Sequence, residues 1–242
     1  MEKQNWVVAG IGKLGRALLS RFEIQGIQVG IFHPDINKAN DCLQEYPFHR
    51  IVKKEDLGSA DFLILALPAN QIIPFVKKLE SHHLSLQKPI LINMATAAHT
   101  SKLKGEYPHL KWFGMKFVGQ ADDLRKNGEG LFVTEESSVD SDSQLVSVSR
   151  MFSEIGRVII DSEATVEKVN RIATYHAIKA AKEIEQELRS GGYQNEYEQR
   201  VLLSLVPEVV RSYAHGTLGH FGQSIAAEFD QEDEKQKDIR NA

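Results

Sequence analysis

Three glycines stand within six residues, Gly10-Ile11-Gly12-Lys13-Leu14-Gly15, between an apolar run and an amphipathic one. Trp6–Ala9 reads as a strand, and Leu14, Ala17, Leu18 and Phe22 repeat at helical spacing. In that context a G-x-G-x-x-G bend joins strand to helix while leaving backbone amides free for an anion. Gly10 permits the tight turn, Gly12 leaves the backbone bare for a pyrophosphate, and Gly15 lets the helix approach the strand. The segment Gly10, Ile11, Gly12, Lys13, Leu14 and Gly15, at the positive end of a helix dipole, is therefore the first candidate cofactor contact.

The rest of the first two-thirds keeps the same rhythm. Val29–Phe32 is a second strand, 36–45 a helix, and His49–Val52 a short third strand. Asp61–Leu67 and Pro89–Met94 are apolar without alternation, as strands covered on both faces are. Asn70–Leu79 is helical between them. Leu110–Phe117, Gly130–Thr134 and Arg157–Ile160 read as further strands, with a polar loop at 135–143 and a helix at 144–155. From about Ser162 the pattern turns helical: 163–190, a Gly191-Gly192 break, then 195–215 with Pro207 as a kink. The expectation is an α/β fold, an N-terminal Rossmann-type doubly wound sheet over 1–161, with a smaller all-α domain at 162–225. A charged tail, expected to fray, occupies 226–242.

Composition narrows the function classes. The net charge of −4 offers no basic field for nucleic acid. No apolar run approaches the roughly 20 residues of a membrane span. The glycine cluster leaves no room ahead of it for a cleavable leader. Cys42 is the single cysteine, so no internal disulfide forms, and a cytoplasmic protein is expected. His215 and His220 lie five apart with no third ligand evident, so no metal is expected.

Ligands of doubly wound folds bind at the carboxyl edge of the sheet. The second strand ends there in "IFHPDINK". An acidic residue at that place reads the ribose of NAD; a basic one suits the 2′-phosphate of NADP. Here stand His33 and Pro34, followed by Asp35 and Lys38. Both cofactors stay open, and the non-acidic strand end tips the balance towards NADP. Leu67 and Pro68 leave the same edge after the fourth strand, and Ala95 after the fifth.

These segments, "LALPANQIIPFVKKL", "PILINMATAAH" and the late change to long helices, together resemble the 6-phosphogluconate-dehydrogenase-like superfamily. Within it the chain is most similar to pyrroline-5-carboxylate reductases and F420-dependent NADP reductases. The resemblance implies a dinucleotide domain, a helical dimerisation domain and a substrate bound where they meet. The motifs match in the nucleotide half. Where the reductases carry Met-Pro-Asn, this chain has Met115-Lys116-Phe117; where they carry a Ser-Gly-Ser-Gly-Pro-Ala-Tyr segment, it has "NRIATYHAIKAA" (170–181). Prephenate-dehydrogenase-like enzymes have a His-Pro segment where "GMKFVG" (114–119) stands, with Lys116 in place of the His. The Lys and Asn one turn apart of β-hydroxyacid dehydrogenases are not reproduced by Lys168 and Asn170.

On the long helix Val166, Val169, Ala173, Ala177, Ala180, Ile184 and Leu188 form one stripe, flanked by Asn170 and His176. His176, Asn170 and Lys116 are the candidate catalytic residues, with His176 a proton donor suited to neutral pH. The helical part is too small to bury its stripe alone, so a homodimer through these helices is expected. The leading reading is an NAD(P)-dependent oxidoreductase acting on a small C=N or C=O substrate. The alternatives are a non-catalytic dinucleotide-binding sensor and a prephenate-dehydrogenase-like enzyme.

Overall fold

The computed structural model describes residues 4–128, 130–135 and 143–240. Two compact units divide it, residues 1–172 and 173–242.

In the first unit, six parallel strands form one sheet: β1 (Trp6–Ala9), β2 (Gly30–Phe32), β3 (Arg50–Ile51), β4 (Phe62–Leu65), β5 (Ile90–Asn93) and β6 (Lys111–Gly114). Their spatial order is β3-β2-β1-β4-β5-β6. The chain starts at the centre, winds outward to β3, returns, and winds out the other way. Alternate residues go to opposite faces, as the pleat requires. Trp6 and Val8 of β1, with Phe62 and Ile64 of β4, join Leu18, Leu19 and Phe22 of α1 (Lys13–Ile24) and Cys42 of α2 (Ile36–Glu45). Val7, Ala9, Leu63 and Leu65 face the other way, onto Ile72, Val76 and Leu79 of α3 (Ala69–Ser81) and Leu103 of α4 (Thr100–Glu106). Both faces are covered, so these strands read as unbroken apolar runs.

The expected strand 110–117 is split at Met115. β6 ends at Gly114, and Met115 still donates its N–H to Asn93 O (3.1 Å). The chain then enters a second, three-stranded sheet. Its order is β7 (Lys116–Val118), β8 (Leu131–Thr134), β9 (Arg157–Ile160), with β7 antiparallel and β9 parallel to β8. Between these strands lie α5 (Ala121–Asn127) and α6 (Ser143–Ser153). Most of the predicted polar loop at 135–143 lies outside the described residues.

The helix α7 spans Glu163–Ser190, as its periodicity predicts. The division between units falls inside it, because its first turns are fastened to the sheet unit. Glu163 and Val166 are buried there, and Asn170 donates its amide to Phe117 O (3.1 Å). The second unit holds the rest of α7, then α8 (Asn195–Arg200), α9 (Val206–Ala214) and α10 (His220–Arg240). Gly192 takes the left-handed conformation (φ 72°) that stops α7. The expected kink at Pro207 is instead a widened turn over Val201–Leu205, where Val206 N–H reaches back to Val201 O. Proline follows directly, at the helix start where its missing donor costs least. The backbone of α10 runs helically to Arg240, through much of the segment expected to fray. Glu, Gln, Lys and Ala there have high helix propensity.

Candidate functional site

The three glycines differ in what surrounds them. Gly10 has φ 105°, and a Cβ on it would collide with the carbonyl of Ala66. A Cβ on Gly15 would fall inside the contact distance of Gly10 O. A Cβ on Gly12 would have no described atom within 4 Å, and its φ is an ordinary −69°. So the first and third glycines let the bend close on itself, and the second opens onto free space. No side chain caps α1, its first turn has no acidic residue, and its first internal bond is Arg16 N to Gly12 O (3.0 Å). The amides ahead of that bond face outward with the positive end of the helix dipole behind them. Arg16 braces the bend, donating Nε–H to Ile11 O (3.1 Å) and pairing with Glu45.

Gly12 lies in the wall of a cleft of roughly 1000 Å³ along the carboxyl edge of β1, β2 and β4. Of the candidate cofactor contacts, Gly10, Ile11, Gly12, His33, Pro34, Leu67 and Pro68 line it. Lys13 is exposed and Leu14 packs on the core beside the bend. Ala95 lies elsewhere, in the loop after β5, with its N–H bonded to Asn93 Oδ1 (3.1 Å).

Sequence reasoning named His33 and Lys38 but missed the cleft's other basic side chains. Lys53 and Lys54 enter from the end of β3, and Lys78 and His82 from the end of α3, joining Lys38, Arg16 and His33; Glu55 is the acidic member of the lining. Lys53 and Lys54 had a signal: they follow the third strand directly, at the edge where ligands bind. Asp35, by contrast, is occupied. Its carboxylate caps α2, accepting from Asn37 N (2.9 Å) and Lys38 N (3.4 Å). His33 Nδ1 accepts from Asp35 N (3.1 Å), which sets the ring against the turn.

Of the predicted catalytic residues, Lys116 and Asn170 do not line that cleft. Lys116 is fully buried, with its ammonium donating to Ala95 O (2.7 Å) and Ala98 O (2.9 Å). Glu163 Oε1 stands 3.5 Å from it. Burial pulls the Lys116 pKa down to about 8, against the opposing charge of Glu163 and, more weakly, Glu135. Asn170 has its amide on the Phe117 carbonyl. His176 is exposed in the helical unit, edge-on to Tyr175. Among the described residues no cluster of three or more His, Cys, Asp or Glu could hold a metal ion, and no helix is long and apolar enough to cross a membrane.

Residues 6–96 match the family model described as NADP oxidoreductase, coenzyme F420-dependent. That span runs from β1 through β5 and contains the glycine bend. No curated protein matches the chain significantly. Among solved structures, a pyrroline-5-carboxylate reductase from Coxiella burnetii is 14% identical, with a TM-score of 0.63 over 98% of this chain and 93% of that one. A Plasmodium falciparum pyrroline carboxylate reductase with NADP bound is 15% identical (TM-score 0.60; 99% and 93% covered). An imine reductase variant from Myxococcus stipitatus, in complex with NAD+, is 12% identical (TM-score 0.58; 88% and 78% covered).

Proposed function

Proceeding from a fold of the Rossmann type that is shared with NAD(P)-binding oxidoreductases, we propose that this protein is an NADP(H)-dependent oxidoreductase acting on a small C=N or C=O compound. The observation that carries the reading is the open face of Gly12 at the uncapped start of α1, inside a cleft lined by cations. The residues present fit a dinucleotide. The amides from Gly12 to Leu14 would hold its pyrophosphate, and the backbone of Ala66–Pro68 would flank it. Lys38, Lys53 and Lys54 stand around the adenosine end beside His33, where the charge of the lysines favours a 2′-phosphate over a bare ribose. When bound, such a cofactor supplies the hydride chemistry; the chain supplies orientation and exclusion of water.

Titrating NADPH and NADH separately, by the fluorescence of the reduced nicotinamide, tests the cofactor. NADPH binding at least about tenfold tighter than NADH is expected, since charge-assisted contacts to one phosphate are worth that much. Changing Lys53 and Lys54 to Glu is expected to erase the difference. Failure of both cofactors at millimolar concentration sinks the reading. Cyclic imines and keto acids are then screened for cofactor oxidation.

A second reading, a dinucleotide sensor without turnover, is favoured by one specific observation: the Lys116 and Asn170 side chains are engaged with backbone carbonyls. Binding of NADPH with no oxidation by any substrate of either class would select it. In both readings the protein is a homodimer through its helical unit. Neither α8 nor α9 buries a residue, while Leu203 and Phe221 are 80% and 82% exposed. Such apolar area on a unit this small calls for a second copy.

A further inference from the structure

The connection between β5 and α4 is tied down more heavily than a surface loop requires. Asn93, fully buried at the end of β5, donates its amide to Ala98 O (2.7 Å) and Thr100 Oγ1 (2.9 Å). Lys116 reaches the loop from below and donates to Ala95 O and Ala98 O. Glu163, the first residue of α7, accepts from Thr100 N (2.7 Å) and Thr100 Oγ1 (2.5 Å). His99, on the loop itself, lies 3.3 Å from Glu167 and 3.9 Å from Glu163. Room for the Glu163 carboxylate exists only because residue 114 is glycine; any Cβ there would overlap it.

The position of this loop gives the ties a meaning. β5 pairs with β4 so that Asn93 stands beside Leu65. The loop after Asn93 therefore neighbours Ala66–Pro68 at the same sheet edge. The cleft described above runs from Pro68 towards β2 and β3. A dinucleotide with its adenosine half in that cleft and its pyrophosphate at Gly12 has the β4–β5 side left for its nicotinamide half.

Resting on the dinucleotide reading, we infer that Lys116, clasped by Glu163, is a positioning residue. It fixes the Met94–Thr100 loop in the shape that seats the nicotinamide end, without touching the cofactor. Two of its donors are fixed on Ala95 O and Ala98 O, and the remaining charge faces Glu163. The groups around it are Glu163 and Glu135, with His99 and Glu167 beyond Glu163. A neutral amine keeps both carbonyl bonds only by turning its lone pair on the Glu163 carboxylate. Loss of the proton, centred near pH 8, therefore loosens the clasp.

The test separates the two halves of the cofactor. Dissociation constants of NADPH and of 2′,5′-ADP, which carries the adenosine half alone, are measured from about pH 6.5 to about pH 9.5. In the wild type the ratio of the two constants is expected to rise about tenfold, with its midpoint near 8, as two buried hydrogen bonds weaken. In Lys116→Met the ratio is already high at neutral pH and does not change with pH. Glu163→Gln moves the midpoint to lower pH, since it removes the charge that holds the proton. Should Lys116→Met fail to fold by circular dichroism, the wild-type series and Glu163→Gln decide. A flat ratio in the wild type and in Glu163→Gln, with both probes bound, overturns this inference alone. Absence of binding by both probes overturns the dinucleotide reading and this inference with it.

Discussion

The two units of this chain hide their apolar side chains to very different degrees. In the sheet unit, every residue of β1, β4 and β5 is buried, and each strand serves two faces. In the helical unit, α8 and α9 bury no residue, and Tyr213, Leu203 and Phe221 are all more than two-thirds exposed. The same hydrophobic drive acts on both. A parallel sheet with helices on either side satisfies it within one chain. Four helical segments without a central layer do not. The contrast teaches that the first unit covers its apolar side chains by itself while the second leaves many of its own exposed, the surface that the homodimer proposed above would cover.

The largest expected effect breaks the sheet unit from within. Gly15→Ala places a Cβ against Gly10 O and should cost about 3 kcal/mol of stability, the upper end for overpacking. Gly12→Ala meets open space and should leave stability within about 0.5 kcal/mol. Denaturant melts of the two variants check this, and equal losses would contradict it. Next comes the helical unit. Leu203→Glu or Phe221→Glu should weaken self-association by about 2 kcal/mol each, as for a buried anchor. Light scattering across a dilution series measures that, and an unaltered mass curve would mean these faces meet nothing.

A smaller effect concerns His49. It is buried, with Nε2 at 2.8 Å from Leu19 O and Nδ1 accepting from Val29 N (3.3 Å). Burial holds its pKa below the ordinary 6.5, so the fold keeps it neutral. The unfolded chain then takes up the proton first, and stability declines as pH falls from 6.5 towards the lower folded value. His49→Gln should flatten that part of the Tm-against-pH curve. The smallest effect is expected at Arg189 and Glu198, a two-pronged surface pair (both 3.0 Å) in which Arg189 is exposed and Glu198 half-buried. Arg189→Ala should leave the Tm essentially unchanged.

What was legible in the sequence follows the same division. The glycine bend, the first two strands and the helix at 36–45 are local features, each set by neighbours in the chain. The parallel sheet follows from the alternation of strands and helices. The break at Met115 was not legible, because it shows only in the partners: residues before it pair with β5 and residues after it with β8, which lies further along the chain. The partners of Lys116 were hidden for the same reason. A lysine beside a strand reads as a solvated or reactive group until its carbonyl partners are known. The lysines after β3 were legible in principle, but a two-residue strand gives little periodicity to mark its end. The first turns of α7 looked like the beginning of a separate domain, since helical spacing alone does not say which layer a turn packs on.

That last point bears on how the protein is made. During synthesis the six-stranded sheet can assemble as soon as β6 has left the ribosome. Lys116 then follows, but the carboxylate that answers it is still untranslated. Until Glu163 emerges, a nascent chain must either hide an unanswered ammonium or leave it in water, and an uncompensated buried charge is costly. The loop after β5 is thus tied down only after the sheet beside it is made, by a residue that belongs to the helix leading away from it.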